Sequence, residues 1–130
     1  MISFDLDMTL LDHKTGEITP SALRAIGRLR EKHKIVLATG RDMDNYYSSK
    51  FRDIVNPDAI VHLNGTKVTV GKKLLYEHEF DKGLLKELLT YCDNCGFAVG
   101  VTVGSEDYYI HPEVVEESDS TVYSEQTFGL

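Results

Sequence analysis

The chain has 130 residues, 14 Lys+Arg against 21 Asp+Glu, and a formal net charge of −7. With 42% hydrophobic and 27% charged residues it has a globular composition, which excludes wholesale disorder and collagen-like sequence. No apolar run approaches the ~18–20 residues that cross a bilayer, no basic segment leads into an apolar leader, and the acidic balance argues against binding a nucleic-acid backbone. Cys92 and Cys95 cannot form a disulfide framework, so a reducing cytoplasm is the expected setting.

In chain order, Met1–Leu6 reads as a short strand running into Asp5 and Asp7. Thr19-Pro20 starts a helix, with Thr19 as N-cap and Pro20 in the first turn, and Leu23, Ile26 and Leu29 form its apolar stripe to about Lys32. Ile35–Ala38 is a continuous apolar run, as expected of a strand covered on both faces, and it stops at Thr39-Gly40-Arg41. A weaker helix is expected over Met43–Phe51, and a third strand over Ala59–Leu63, closed by Asn64-Gly65. Strand–helix alternation of this kind builds a parallel sheet with right-handed crossovers.

After Gly65 the rhythm changes. Thr66–Val70 and Leu74–Tyr76 read as a hairpin around Gly71-Lys72-Lys73, followed by a helix over Asp81–Cys92 and a strand pair, Phe97–Val103 and Tyr108–Ile110, around Gly104-Ser105. From Pro112 a helix running into a polar, acidic end is expected. Residues 1–65 are charge-neutral and residues 66–130 carry the whole −7, so two segments are expected, 1–63 and 64–130.

In open parallel sheets, ligands gather at the carboxyl ends of the strands. Two such ends carry reactive groups here: Asp5-Leu6-Asp7-Met8-Thr9, and Thr39-Gly40-Arg41. Two carboxylates at i and i+2 repel unless a hard divalent cation sits with them. One carboxylate can then attack phosphorus, while its neighbour gives and takes the proton. The Thr39 hydroxyl and Gly40 N–H suit a phosphate oxygen. Each motif alone is weak, because Asp-x-Asp is common and Gly often just ends a strand. In this order, with one crossover between them, they are specific.

The segments Phe4–Asp12, Ile18-Thr19-Pro20, Leu37–Arg41 and Leu63-Asn64-Gly65 resemble the haloacid dehalogenase (HAD) superfamily. Within it the chain is most similar to the Cof-type sugar-phosphate phosphatases, whose α/β cap follows the third strand. The resemblance implies an α/β fold: a Rossmann-like parallel sheet forming the N-terminal part of the HAD core, followed by the start of an α/β cap. It implies Asp5 as nucleophile and Mg²⁺ ligand, and Asp7 as general acid/base with its carbonyl on the metal. It also implies a phosphate contact from the Leu6 N–H, and a phosphoryl grip by Thr39 and Gly40. Arg41, Asn64 and Gly65 are expected where cap meets core, within reach of the leaving group. The implied substrate is a small phosphorylated metabolite, with no nucleic-acid or membrane partner.

Met8 stands where the family usually has Gly; it is tolerable provided the backbone there is not at positive φ. A later Lys and a Gly-Asp-x-x-Asn-Asp motif, both part of the family pattern, do not occur. Family members run to roughly twice this length, at about 150 residues per domain, so an N-terminal fragment with little or no turnover is expected. Its exposed sheet edge would invite dimerisation or aggregation. Glu106-Asp107 after Val101–Val103 imitates the missing acidic motif, although Tyr108-Tyr109-Ile110 suits a cap hairpin better.

Two other function classes compete. A signalling receiver domain needs a phospho-accepting Asp at the end of strand three, where this chain has Leu63-Asn64-Gly65. A non-catalytic remnant would keep Asp5 and Asp7 for binding alone. Cys92-x-x-Cys95 ends a helix with no second pair and reads as packing. The five histidines lack metal-site spacing, and His62 reads as a satisfied buried residue. Tyr46-Tyr47 and Tyr108-Tyr109 read as half-buried aromatics.

Overall fold

The computed structural model describes residues 1–114, so the acidic end expected after Pro112 lies almost wholly outside the described residues. They form two compact units, residues 1–79 and the described part of 80–130. The first unit is built from β1 (Ile2–Phe4), α1 (Pro20–Arg30), β2 (Ile35–Ala38), α2 (Tyr46–Val55), β3 (Ala59–His62), a 3₁₀ turn at Leu63–Gly65, β4 (Lys67–Val70) and β5 (Lys73–Glu77). The strands make one sheet in the order β1-β2-β3-β4-β5. β1, β2 and β3 pair in parallel, and β4 and β5 add on antiparallel.

The helices start and stop for local reasons. The Thr19 hydroxyl accepts the Ala22 N–H and Pro20 fills the first turn of α1, a cap worth ~1 kcal/mol. α2 begins at Tyr46, not Met43, because the Asn45 side chain caps the Tyr47 N–H and Met43 is fully buried in the core. It continues to Val55, where Asn56 takes the left-handed conformation (φ 47°) just before Pro57. Leu6, Leu10, Leu11, Ile18, Ile26, Ile35, Leu37, Met43, Phe51, Val55 and Ile60 form the core. At ~1.5–3 kcal/mol for each fully buried large side chain, this packing holds the strand ends in register.

The change from parallel to antiparallel falls after His62, close to the expected change of rhythm. The compact unit nevertheless continues to Glu79. The hairpin β4–β5 is hydrogen-bonded to β3 along Ala59–His62, and the Gly71 N–H at its tip donates to the Asp58 carbonyl. It is therefore part of the first sheet.

Among the described residues, the second unit contains α3 (Lys82–Cys95), the hairpin β6 (Val99–Val103) with β7 (Glu106–Ile110), and, as expected from Pro112, helical residues at 112–114. Asp81 caps α3, which runs on to Cys95, past the expected end at Cys92, and stops at Gly96 in the left-handed region (φ 67°). None of its described residues is buried, and Leu84 and Leu88 are exposed.

Candidate active site at the carboxyl ends of β1, β2 and β3

Asp5 leaves β1 exposed, and among the described residues its carboxylate has no hydrogen-bond or ion-pair partner. Leu6 is fully buried, and its carbonyl accepts N–H bonds from Thr9, Leu10 and Leu11 at 3.4, 3.0 and 2.9 Å. Leu6 thus anchors a tight turn, with an acid on either side of it. Met8 in that turn sits at φ 59°, so the condition under which Met would be neutral does not hold. A left-handed conformation crowds the Cβ of any residue but glycine.

Beyond β2, the Thr39 N–H continues the ladder to the Val61 carbonyl (3.0 Å), and its buried hydroxyl accepts the Arg41 N–H (3.1 Å). The loop after β3 is tied to this one by two bonds, Asn64 N–H to the Thr39 carbonyl and Leu63 N–H to the Arg41 carbonyl, each 3.2 Å. Leu63, Asn64 and Gly65 all have positive φ (49°, 55° and 99°), a run that Asn and Gly tolerate and Leu does not. A Cβ on Gly40 would lie 3.1 Å from Asn64 Oδ1, so a larger residue there would press on the Asn64 side chain where the two loops approach.

Arg41 joins the second loop to the first. Its Nε and one terminal nitrogen donate to the two oxygens of Asp7 at 2.8 and 2.6 Å. Its guanidinium thus grips Asp7, with Cζ 5.8 Å from the Phe51 ring centroid. Thr39, Gly40, Arg41, Asn64 and Asp7 are therefore brought together, with Asp5 and Leu6 next in the chain. Gly65 closes the third loop. Glu106 and Asp107 lie on β7 in the second unit, where the Asp107 carboxylate accepts from Thr102 Oγ1 at 2.7 Å across the hairpin. That is strand pairing, not a loop leaving a parallel strand.

Sequence reasoning missed a neighbouring charged cluster. Lys67 Nζ, on the first residue of β4, lies 3.2 Å from Asp42 Oδ1 and 2.9 Å from Asp44 Oδ2. Arg52 pairs with Asp44 from the other side. His62 is fully buried; its Nδ1 accepts the Met43 N–H (3.1 Å), which leaves the ring proton on Nε2 to donate to Thr69 Oγ1 (2.9 Å). Burial pushes the His62 imidazole below its usual range against the pull of Asp44, whereas Asp42 acts in the same raising sense as Asp44. Burial is the largest single influence on Lys67 and Asp44 and disfavours charge on both, but it is outweighed by the others together. Hydrogen bonds and charge from Asp44 and Asp42 raise Lys67, and the Lys67 hydrogen bond with the charges of Lys67, His62 and Arg52 lowers Asp44. The available signal was a second Asp-x-Asp, Asp42-Met43-Asp44, directly after the Thr-Gly-Arg motif.

Donor chemistry separates the two possible cation sites. Asp42, Asp44 and His62 present ligand atoms within 4.8 Å of one another, but the Lys67 ammonium already stands between the two carboxylates. At β1 the donors are all oxygen, which fits Mg²⁺. Asp5 would hold it by its carboxylate, and Asp7, whose side chain is engaged by Arg41, by its main-chain carbonyl.

A family model described as haloacid dehalogenase-like hydrolase matches residues 2–128. The HAD subclass IIB sugar phosphatase BT4131 is 25% identical, with a TM-score of 0.74 over 88% of this chain and 45% of that one. The HAD phosphatase BT1666 from Bacteroides thetaiotaomicron is 21% identical, with a TM-score of 0.74 over 91% of this chain and 45% of that one. TM0651 from Thermotoga maritima is 19% identical, with a TM-score of 0.67 over 92% and 46%. The chain thus spans about half the length of these structures. No curated protein matches the sequence. Among the described residues, no helix is long and apolar enough to cross a membrane.

Proposed function

The chain belongs to the haloacid dehalogenase-like hydrolase family, and on that premise we propose that it carries the nucleophile-bearing part of a Mg²⁺-dependent phosphomonoesterase acting on small, sugar-phosphate-like metabolites. The observation that carries this reading is the convergence of three strand ends, with Arg41 on Asp7 and Asn64 on Thr39. In the proposed reaction an Asp5 carboxylate oxygen attacks phosphorus and the bond to the leaving oxygen breaks, giving an acyl-phosphate on Asp5. Asp7, once released from Arg41 and protonated from solvent, gives that proton to the leaving oxygen. Water then attacks the phosphorus, Asp7 takes the proton back, and phosphate departs from Asp5. Leu6, Thr39 and Gly40 orient the phosphoryl oxygens, and Asn64 and Gly65 shape the leaving-group side. Bound Mg²⁺ would supply the positive charge that lets a phosphate dianion approach two carboxylates.

Because both Asp7 oxygens are held by Arg41, proton transfer requires that pair to open. The sequence lacks the family's later Lys and acidic motif. Charged hydrogen bonds of that kind are worth ~2–5 kcal/mol each when one partner is removed, at tenfold in rate per ~1.4 kcal/mol, so turnover by this chain is proposed to be weak. The engagement of Asp7 also favours a second reading, a domain that binds phosphate and metal without turning over. Hydrolysis of an aryl phosphate with and without Mg²⁺ separates the two. The enzyme reading expects a slow, Mg²⁺-dependent rate abolished by Asp5→Asn, and activity that survives this substitution overturns it. The reading places the protein in the cytoplasm, with the sides of β1 and β5 that pair with no strand among the described residues as the edges through which copies would associate.

A further inference from the structure

We propose that Lys67 is a positioning residue: an internal cation that clamps the Asp42–Asp44 segment against β3 and so sets Thr39, Gly40 and Arg41 against Asp7. The inference rests on the phosphate-site reading above and deepens it.

Lysine is rarely withdrawn from water, yet the Lys67 side chain is 12% exposed and its Asp42 partner 3%. The backbone puts it there, because β3–β4 pairing sets Lys67 directly opposite His62. From that position Nζ reaches both carboxylates, while the His62 ring takes the Met43 N–H between them. The segment is thus held from β3–β4 at three successive residues. The Asp44 N–H closes back on Asp42 Oδ1 at 3.0 Å. Asp42 and Asp44 are balanced by Lys67 and Arg52, with His62 neutral, so the cluster needs no metal to close its charge.

Arg41 directly precedes this clamp, and its reach to Asp7 depends on where the clamp holds the chain. Without the ammonium, the Asp42 carboxylate would be a buried charge beside another carboxylate, a state relieved by swinging the segment out to water. Such a shift withdraws Arg41 from Asp7 and spreads the Thr39-Gly40 grip.

The test compares the full chain with Lys67→Met, Lys67→Arg and Asp44→Asn. It reads the Arg41 Nε–H resonance and the affinity for inorganic phosphate in the presence of Mg²⁺, followed at the Thr39 and Gly40 amides. Lys67→Met is expected to move the Arg41 Nε–H signal to the position of a solvent-exposed arginine and to weaken phosphate binding about tenfold or more, while the Val36 and Ile60 amides stay in place. Lys67→Arg, which keeps the charge, should restore most of both. Asp44→Asn loosens the clamp from its exposed side without leaving a buried unpaired charge, and should give an intermediate shift even if Lys67→Met fails to fold. An unmoved Arg41 signal in Asp44→Asn and in a folded Lys67→Met overturns the proposal, as does Lys67→Arg behaving like Lys67→Met. A wild-type chain that binds no phosphate, but whose Arg41 signal still follows Lys67, keeps the positioning role and rejects the phosphate-site reading. Tight phosphate binding that ignores every Lys67 variant does the reverse.

Discussion

Replacing Met8 by glycine should stabilise the first unit. Met8 sits at φ 59° with 81% of its surface exposed, so its side chain contributes little burial and its backbone carries the left-handed penalty. That penalty is roughly 1–2 kcal/mol for an L-residue, and the extra chain entropy of glycine in the unfolded state returns about 0.5–1 kcal/mol of it. The net expectation for Met8→Gly is about 0.5–1 kcal/mol of added stability, read as a higher urea midpoint with an unchanged slope. Met8→Val should go the other way, because a β-branched side chain at positive φ is worse still. The chain has no Trp, so tyrosine fluorescence or far-ultraviolet circular dichroism reports the transition. A Met8→Gly protein less stable than the parent, or a harmless Met8→Val, would refute the left-handed assignment and with it the account of the turn carrying Asp7.

Arg41→Gln should cost at most ~1 kcal/mol of stability, because the pair with Asp7 is 33% and 47% exposed and screened by solvent; urea titrations at low and high salt check this, and the loss should shrink with salt. Gly40→Ala should cost ~1 kcal/mol or more from its contact with Asn64, and clearly less when combined with Asn64→Gly, which a double-mutant cycle measures. The depressed His62 imidazole binds protons more readily in the unfolded chain. It therefore contributes stability above its ordinary value near 6.5, and that contribution falls away as pH drops below it. His62→Gln should flatten this part of the pH dependence in unfolding titrations across that range. His111, held above its usual value chiefly by its hydrogen bond to Glu113 and then by Asp93, has the opposite sign in the second unit. Amides of α3, β6 and β7 should exchange with solvent far faster than those of β2, because no described side chain of the second unit is buried; equal protection by hydrogen exchange would contradict this.

The parallel part of the sheet was legible because its signals are local and mutually consistent. Ile35–Ala38 is apolar throughout, Thr19-Pro20 caps a helix, and Thr39-Gly40-Arg41 and Asn64-Gly65 end strands where ligand loops belong. The start of α2 was not legible, since Met43 continues the apolar period but is taken by the core, and Asn45 caps later. The membership of β4–β5 in the first sheet was hidden for a different reason. A hairpin announces its own turn, here Gly71, but not the strand it will pair with. The Arg41–Asp7 and Lys67–Asp42 pairs join residues 34 and 25 apart, and no periodicity reports such distances. The positive φ of Met8 had a warning in the departure from glycine, but its sign is a property of the folded turn.

The central claim is that Asp5 is the group that takes up phosphorus, and it is tested most directly by trapping. The chain would be incubated with Mg²⁺ and a small phosphodonor such as acetyl phosphate, reduced with borohydride, and digested for mass spectrometry. The account predicts homoserine in place of aspartate at position 5, dependent on Mg²⁺ and absent in Asp5→Asn. Trapping at Asp7 or elsewhere, or none at Asp5 under saturating Mg²⁺ and donor, would contradict it.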